Sequence, residues 1–428
     1  MTYEQTLGYL RKAATRGSVL GLDRVKELLH LLGDPQEKLK IIHISGTNGK
    51  GSFAAMLSSV LHCSGYRTGS FCSPAMTGVT DSYRINGAEI SKDRFADLIG
   101  TIVPIAESMA EKPTEFEVIA AAAYLLFAEE NCDIAVVECG MGGDGDATNV
   151  MKAPLLSVIT NVALDHCGFL GSTTAEIAGH KAGIIKQDCP AYFGGKDSDA
   201  LAVISKRAEQ LGAPLALYDD SPLSDISYSL DGISFRWKGE NYMVPLCGTY
   251  QRDNIVNLMC CVEILRKHGM TIDTVSLRKG LAETVWQGRF EVMYRDPYVV
   301  YDGAHNPDGI AKAAESIEMY FPDKAVLLIG VMADKDYRLY ADMLGRFIEK
   351  VYTVTPDNPR ALDSAALAEV FADKNIPAES FEYLPDGVSA AYNHAKEKGL
   401  PLIALGSLYM YREFRKAMKH IHDKTIST

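Results

Sequence analysis

An α/β fold in two parts is predicted, on three observations. Short apolar runs alternate with helical patterns through most of the chain. One of those runs feeds a glycine-rich turn that opens a helix. A chain of 428 residues is also long for a single hydrophobic core. The expected architecture is an N-terminal P-loop-type domain over residues 1–287, with a mainly parallel sheet plus a small antiparallel meander. A C-terminal Rossmann-like α/β domain follows over residues 288–428.

Leu39–Ile44 is a buried strand, and a helical pattern runs from about Lys50 to Cys63. Thr68–Cys72 is a second short strand. A helix over about Glu117–Glu130 leads into the buried strand Asp133–Glu138, and Leu155–Thr160 is another. Thr173 and Glu176 have capping-box spacing, so a helix follows them and carries Lys181. Over 226–246 the segments ISYSL, ISFRW and YMVPL alternate and are separated by Asp231-Gly232 and Lys238-Gly239, as in a meander. The boundary is drawn near Trp286–Arg289, before the strand Tyr298–Tyr301. Strands near 325–330, 350–354 and 401–405, with helical stretches between them, complete the second part.

Bulk properties exclude some partners. Net charge is −12, which gives no broad electrostatic case for nucleic acid or an anionic membrane. The first residues lack the apolar core of a signal peptide, and no apolar run approaches the roughly 18 residues of a membrane span. Nine cysteines, an odd number with no CxxC pair, fit buried thiols in a reducing cytoplasm and give no zinc site.

Ser45-Gly-Thr-Asn-Gly-Lys-Gly-Ser52 sits between strand and helix. Glycines let backbone N–H groups curl around phosphate oxygens, and the helix dipole favours the negative charge. Lys50 supplies a cation for the terminal phosphates, and Ser52 a hydroxyl near phosphate-bound Mg²⁺. The pattern GxxxxGK[ST] is not met literally, because Ile44 takes the first glycine position and Gly51 parts Lys50 from Ser52. A turn that binds nothing is the competing reading; the strand–loop–helix setting disfavours it.

Gly140–Gly145 matches GxGxxG after a strand, and Asp165 lies at the distance of the fingerprint's acidic residue. A dinucleotide site needs a helix directly after the glycines. Asp146-Ala-Thr-Asn149, Pro154 and another strand leave no room for one, so NAD is rejected. Glu138, at a strand end, offers a carboxylate instead. Ser73 and His166 follow two other strands, and the three could complete an Mg²⁺ shell with waters and phosphate. Mg²⁺ prefers oxygen, so a histidine ligand is atypical. Taken singly, Glu138 reads as a buried paired carboxylate, His166 as a loop histidine and Lys181 as an exposed helical cation.

Several motifs in order carry a family resemblance over nearly the whole chain. They are GTNGKGS (46–52), TEFE (114–117), VVECGMGG with DATN (136–149), TNVALDH (160–166), HKAGIIK (180–186), GTYQRDN (248–254) and GRFE (288–291). DGAHNP (302–307), GVMADKD (330–336), PDNPRAL (356–362) and GSLY (406–409) follow. The chain resembles folylpolyglutamate synthase and bifunctional dihydrofolate synthase, in the Mur ligase superfamily. The resemblance implies ATP-dependent ligation of L-glutamate to a folate or dihydropteroate carboxylate through an acyl phosphate, by a monomer. It implies that Thr47, Asn48, Gly49, Lys50, Gly51 and Ser52 hold ATP phosphates, with Asn254, Arg289 and Asp302 as further nucleotide contacts. Ser73, Glu138 and His166 would hold Mg²⁺. Lys181 corresponds to a lysine carbamylated in the family, His305 belongs to a cleft-facing motif, and a monovalent cation is a further expected cofactor. Lys50, Lys181, His166 and His305 form the expected catalytic set. Ser18, Gly21, Thr114, Phe116, Glu117, Asp146 and Ala147 match segments near the pterin-bearing substrate.

Four departures stand out. Ala75 replaces a histidine, and Asp81-Ser82 an expected Glu-Arg pair. Asp144 and Gly145 stand where an arginine and an apolar residue are usual, and His180 replaces an acidic residue. Serine or aspartate cannot reproduce the bidentate grip of arginine on a carboxylate, so substrate contacts would be rebuilt, for example with Arg84. Two alternatives remain open. One is a Mur-type amino-acid ligase for a non-folate carboxylate; such enzymes usually carry an extra N-terminal domain for a UDP-sugar, which a phosphate loop at Ser45 disfavours. The other is a nucleotide-binding ATPase without ligase activity, which would need neither the metal-type residues nor a domain bearing Asp302 and His305.

Overall fold

The computed structural model describes residues 1–17, 19 and 21–426. The chain divides into two compact units. The first comprises 1–223, 237–242 and 253–284, and the second 224–236, 243–252 and 285–428.

The first unit holds an eight-stranded sheet built from β1 (Ile41–Ser45), β2 (Thr68–Phe71), β3 (Tyr83–Ile85), β4 (Ala88–Glu89), β5 (Ile134–Glu138), β6 (Leu156–Ile159), β7 (Ala191–Phe193) and β8 (Leu215–Leu217). Their order is β4-β3-β2-β5-β1-β6-β7-β8. All pairings from β2 to β8 are parallel, and β3 and β4 add an antiparallel edge. β1, β5 and β6 are buried along their whole length, which is why they read as unbroken apolar runs. Packing around the sheet comes from helices such as Lys50–Cys63 and Glu115–Glu129. The latter, EFEVIAAAAYLLFAE, has little amphipathic contrast because it is buried on every side from Ala120 to Phe127. No helix lies between Glu138 and β6, as the rejection of a dinucleotide fingerprint required.

A second sheet joins β9 (Leu223–Ser229), β10 (Gly232–Trp237) and β11 (Glu240–Val244) in consecutive order. The third, six-stranded sheet belongs to the second unit. It contains β12 (Glu291–Arg295), β13 (Tyr298–Tyr301), β14 (Ala325–Ile329), β15 (Ile348–Val354), β16 (Ala378–Phe381) and β17 (Leu402–Leu405), in the order β12-β13-β17-β14-β15-β16. Only the β12–β13 pair is antiparallel. The α/β class, the mainly parallel first sheet and the Rossmann-like second part are therefore as expected. No helix is long and apolar enough to cross a membrane among the described residues, and all nine cysteines are free thiols.

Candidate active site

In the first unit the C-terminal ends of β1, β2, β5 and β6 lie side by side, since Ile44 pairs with Glu138 and Phe71 with Val137, while Ser45 pairs with Ile159. Ligands bind at such ends in open α/β sheets. Each strand here releases a segment already marked in the sequence.

β1 releases the phosphate loop. Gly46 has φ +149°, and a Cβ there would lie 1.9 Å from Thr160 Oγ1. Gly49 has φ +83°, starts the helix Lys50–Cys63, and would bring a Cβ within 2.2 Å of Asn254 Oδ1. The loop is braced by the segment after β6. Thr47 N–H donates to Asn161 O at 3.1 Å and Asn48 N–H to Asn161 Oδ1 at 2.8 Å. Thr160 Oγ1 donates to Asn48 O at 2.7 Å, and Thr47 Oγ1 both donates to Ala163 O and accepts from Ala163 N–H. Gly51 and Ser52 occupy the first helical turn, at the positive end of the dipole. Substituting Gly49 by alanine should cost about 1–2 kcal/mol from the left-handed backbone alone, with the Asn254 clash in addition. Urea unfolding checks this, and an unchanged midpoint would mean that the turn adopts another conformation.

Lys50 Nζ donates to Gly46 O at 3.0 Å and Thr47 O at 3.2 Å, and lies 3.8 Å from Glu138 Oε1. Glu138 is 4% exposed. Ser73 Oγ, beyond the end of β2, is buried with no hydrogen-bond partner. A buried carboxylate and an orphaned hydroxyl suit a hard, oxygen-seeking cation that completes its shell with water and phosphate, as Mg²⁺ does. No three His, Cys, Asp or Glu side chains cluster to form an all-protein cage among the described residues. His166 has a left-handed backbone, φ 52°, and is a loop residue lining the same pocket as Thr47, Lys50, Gly140, Asp165 and Lys181.

Lys181 corrects one reading. Its helix is Thr174–Ala182, with the Thr173–Glu176 capping box formed, but the side chain is not exposed. It is 3% exposed, and burial, with Lys50 nearby, brings its ammonium pKa down to about 7. No carboxylate lies within ion-pair distance of Nζ among the described residues. An amine that is substantially neutral near pH 7 is a nucleophile, which an exposed lysine is not.

The residues marked for the substrate divide. Ser18 lies outside the described residues. Gly21 has φ +129°. Thr114 caps the helix Glu115–Glu129 in a capping box with Glu117, whose Oε2 accepts from Thr114 N–H at 2.7 Å. Arg24 Nε donates to that same Oε2 at 3.2 Å, while Arg24 Nη2, 3.1 Å from Oε1 but off the hydrogen-bonding direction, adds charge pairing alone. Phe116 covers the pocket-lining Gly140, where a Cβ would lie 2.4 Å from the ring. Ala147 is buried, and the buried Asp146 carboxylate accepts from Met141 N–H, Thr148 N–H and Thr148 Oγ1. Asp146 thus shapes the turn over 140–148 from within. His43, which burial holds neutral with a pKa down to about 3, reaches Thr148 Oγ1 at 2.9 Å and Cys139 Sγ at 3.1 Å.

Among the departures, Asp81 closes its own loop by accepting from Met76 N–H, Thr77 N–H and Thr77 Oγ1. Ser82 is buried. Arg84 Nη1 donates to Gly87 O at 3.3 Å, within its own hairpin.

In the second unit, Asp302 is 2% exposed. Its Oδ2 accepts from Tyr250 OH at 2.6 Å and Phe290 N–H at 3.0 Å, and its Oδ1 from Ala304 N–H at 2.8 Å. Burial pushes the carboxyl pKa up. Arg289 Nη1 donates to Gly288 O, and a Cβ on Gly303 would lie 2.6 Å from the same nitrogen. His305 Nδ1 is 2.8 Å from Gly303 O, which makes Nδ1 the protonated nitrogen.

Arg24, His43, Thr160 and Asn161 had no role in the sequence reading. His43 carried a signal, as a polar residue in an otherwise apolar strand. Arg24 carried none, because Glu117 lies 93 residues away.

The chain matches the Mur ligase middle domain over residues 44–265 and the Mur ligase glutamate ligase domain over residues 288–407. It is 33% identical over 430 residues to a dihydrofolate synthase/folylpolyglutamate synthase of Bacillus subtilis, covering 97% of this chain and 99% of the relative. It is 33% identical over 432 residues to a folylpolyglutamate synthase of Lacticaseibacillus casei, covering 98% and 99%. Mycobacterium tuberculosis folylpolyglutamate synthase, solved with ADP and AMPPCP, superposes with a TM-score of 0.89 at 29% identity, covering 97% of this chain and 98% of that one.

Proposed function

The chain belongs to the folylpolyglutamate/dihydrofolate synthase family of Mur ligases, and from that membership we propose that it uses ATP to join L-glutamate to a folate carboxylate. The acceptor is tetrahydrofolate, and dihydropteroate as well if the enzyme is bifunctional. The observation that carries the reading is the gathering of a phosphate-type loop and the buried Glu138 at adjoining strand ends, with the buried Lys181 lining the same pocket as the loop. An ATP-binding domain over 1–287 and a ligase domain over 288–428 divide the work.

A carboxylate is a poor acyl donor, so ATP first converts it to an acyl phosphate. The amine of glutamate then attacks the activated carbonyl, and phosphate leaves. Main-chain N–H groups over 49–52 and Lys50, in the loop that Thr47 and Asn48 brace, hold the phosphates and spread the charge of the transferring phosphoryl group. Glu138, Ser73 and His166 would hold Mg²⁺, which neutralises phosphate charge. Asn254, Arg289 and Asp302 contribute nucleotide contacts, and His305 belongs to the same machinery. Lys181 serves as its carbamate, formed when the neutral amine adds CO₂ and releases a proton; the new carboxylate supports the metal or the incoming acceptor. Gly21, Thr114, Phe116, Glu117 and Ala147 shape the pterin side, with Ser18 assigned from the resemblance and Asp146 acting through the 140–148 turn. A monovalent cation is an additional cofactor. The working form is a monomer in the cytoplasm, a setting supported by the nine free thiols.

Purified protein with Mg²⁺, ATP and L-glutamate should form ADP and a glutamylated product with tetrahydrofolate. The same product-mass measurement with 7,8-dihydropteroate reports bifunctionality. ATP hydrolysis that needs neither acceptor nor glutamate would support an ATPase instead. ATP binding without product from either acceptor would move the search to non-folate carboxylates.

A further inference from the structure

Asp144 and His180 stand 36 residues apart in sequence and meet in space. His180 Nδ1 lies 3.0 Å from both oxygens of the Asp144 carboxylate. The backbone repeats the contact, since Asp144 N–H donates to His180 O at 2.9 Å. Asn149 Nδ2 bridges the same two segments, donating to Asp144 O at 3.3 Å and to Gly183 O at 3.2 Å. No side chain fits between them. A Cβ on Gly143 would lie 2.7 Å from His180 O and 2.9 Å from Lys181 O, and one on Gly183 would lie 2.3 Å from Asp144 Cβ. The turn after β5 and the end of the helix Thr174–Ala182 are therefore joined along a continuous seam. Lys181, next to His180, points inward from that seam into the pocket.

We propose that the Asp144–His180 pair is a positioning clamp, which fixes the end of the Lys181 helix against the glycine turn and so sets where Lys181 Nζ stands in the active site. The two side chains touch no reacting group; they act through Lys181. The two face each other across the seam as an attractive pair. The pair is half-exposed, with side chains 35% and 54% accessible, so its contribution to global stability is small. Its effect falls on geometry, where small displacements of a catalytic group are costly.

The inference rests on Lys181 being the functional lysine of the proposed ligase. Four proteins separate the possibilities: the natural chain, Asp144→Arg, His180→Glu and the double variant. Each single substitution sets like charges or an unpaired ion at the seam and is expected to lower kcat roughly 10- to 100-fold. KM for ATP and the melting temperature should barely move. The double variant sets opposite charges across the seam and should recover most of kcat. Single variants as active as the natural chain, or a double variant no better than the singles, would overturn the clamp. Should either single variant fail to fold, Asp144→Asn, which keeps the contact's shape without its charge, gives the same test on a milder scale. NMR with ¹³C-labelled bicarbonate supplies a second readout, with a lysine carbamate resonance expected in the natural chain and weakened in the single variants. Its absence from the natural chain would overturn the carbamate assignment of Lys181, and the kcat pattern would still decide the clamp.

Discussion

Lys50→Met is expected to lower kcat by about 10²–10³-fold, the usual consequence of removing one preorganised charge from a transition-state clamp. The side chain stands where the loop after β1 meets the end of β5, with Nζ on the Gly46 and Thr47 carbonyls and 3.8 Å from Glu138. Methionine keeps the length and loses the charge. Removing Lys50 weakens the compensation of the buried Glu138 carboxylate, so some stability is lost as well. The 3.8 Å separation makes that loss smaller than for a hydrogen-bonded pair. The double variant Lys50→Met/Glu138→Gln removes the carboxylate charge too and should regain the melting temperature but none of the activity, because the phosphates then lack Lys50 and the metal site lacks Glu138. Single-turnover measurement of ADP formation separates the two effects. Activity that returns with stability would show that Lys50 acts through the fold and not on the phosphates.

The fold was legible where burial is simple. β1, β5, β6 and β14 are central strands buried on both faces, so they appear as apolar runs bounded by turn residues. The helices at Lys50 and Thr174 announce themselves through a glycine turn and a capping box. The phosphate loop was legible for the same reason: its chemistry is local, written in consecutive residues. Contacts made by distant residues were not. The brace from Thr160 and Asn161, the Arg24–Glu117 pair and the Asp144–His180 seam each join segments 36 or more residues apart. No periodicity records such pairings. Lys181 shows the limit most sharply. A lysine in a capped helix reads as solvent-exposed, and only the tertiary packing around the pocket it lines buries it. Asp146 shows the converse, since a carboxylate assigned to the substrate is occupied by its own turn.

Lys181→Met should abolish activity, by 10²-fold or more, and yet stabilise the protein at low pH. A lysine whose pKa falls from 10.5 unfolded to about 7 folded carries a charge that the interior disfavours. Below pH 7 the amine is protonated in both states and the penalty is complete. Between pH 7 and about 10 the unfolded chain holds a proton that the folded chain has released, so the stability of the natural protein rises with pH. Methionine has no such dependence. The variant should therefore exceed the natural protein by roughly 2–5 kcal/mol at pH 6, and the advantage should shrink steadily toward pH 10. Activity of the natural enzyme runs the same way, falling as pH drops through 7, because a protonated amine cannot add CO₂. Urea titrations of both proteins from pH 6 to pH 10, in carbonate-free buffer, measure the difference directly. Added bicarbonate should stabilise only the natural protein, by consuming the buried amine. If Lys181→Met is instead the less stable protein at pH 6, the ammonium has a favourable role in the fold. The interior would then be holding a cation, and the case for a nucleophilic amine would fail.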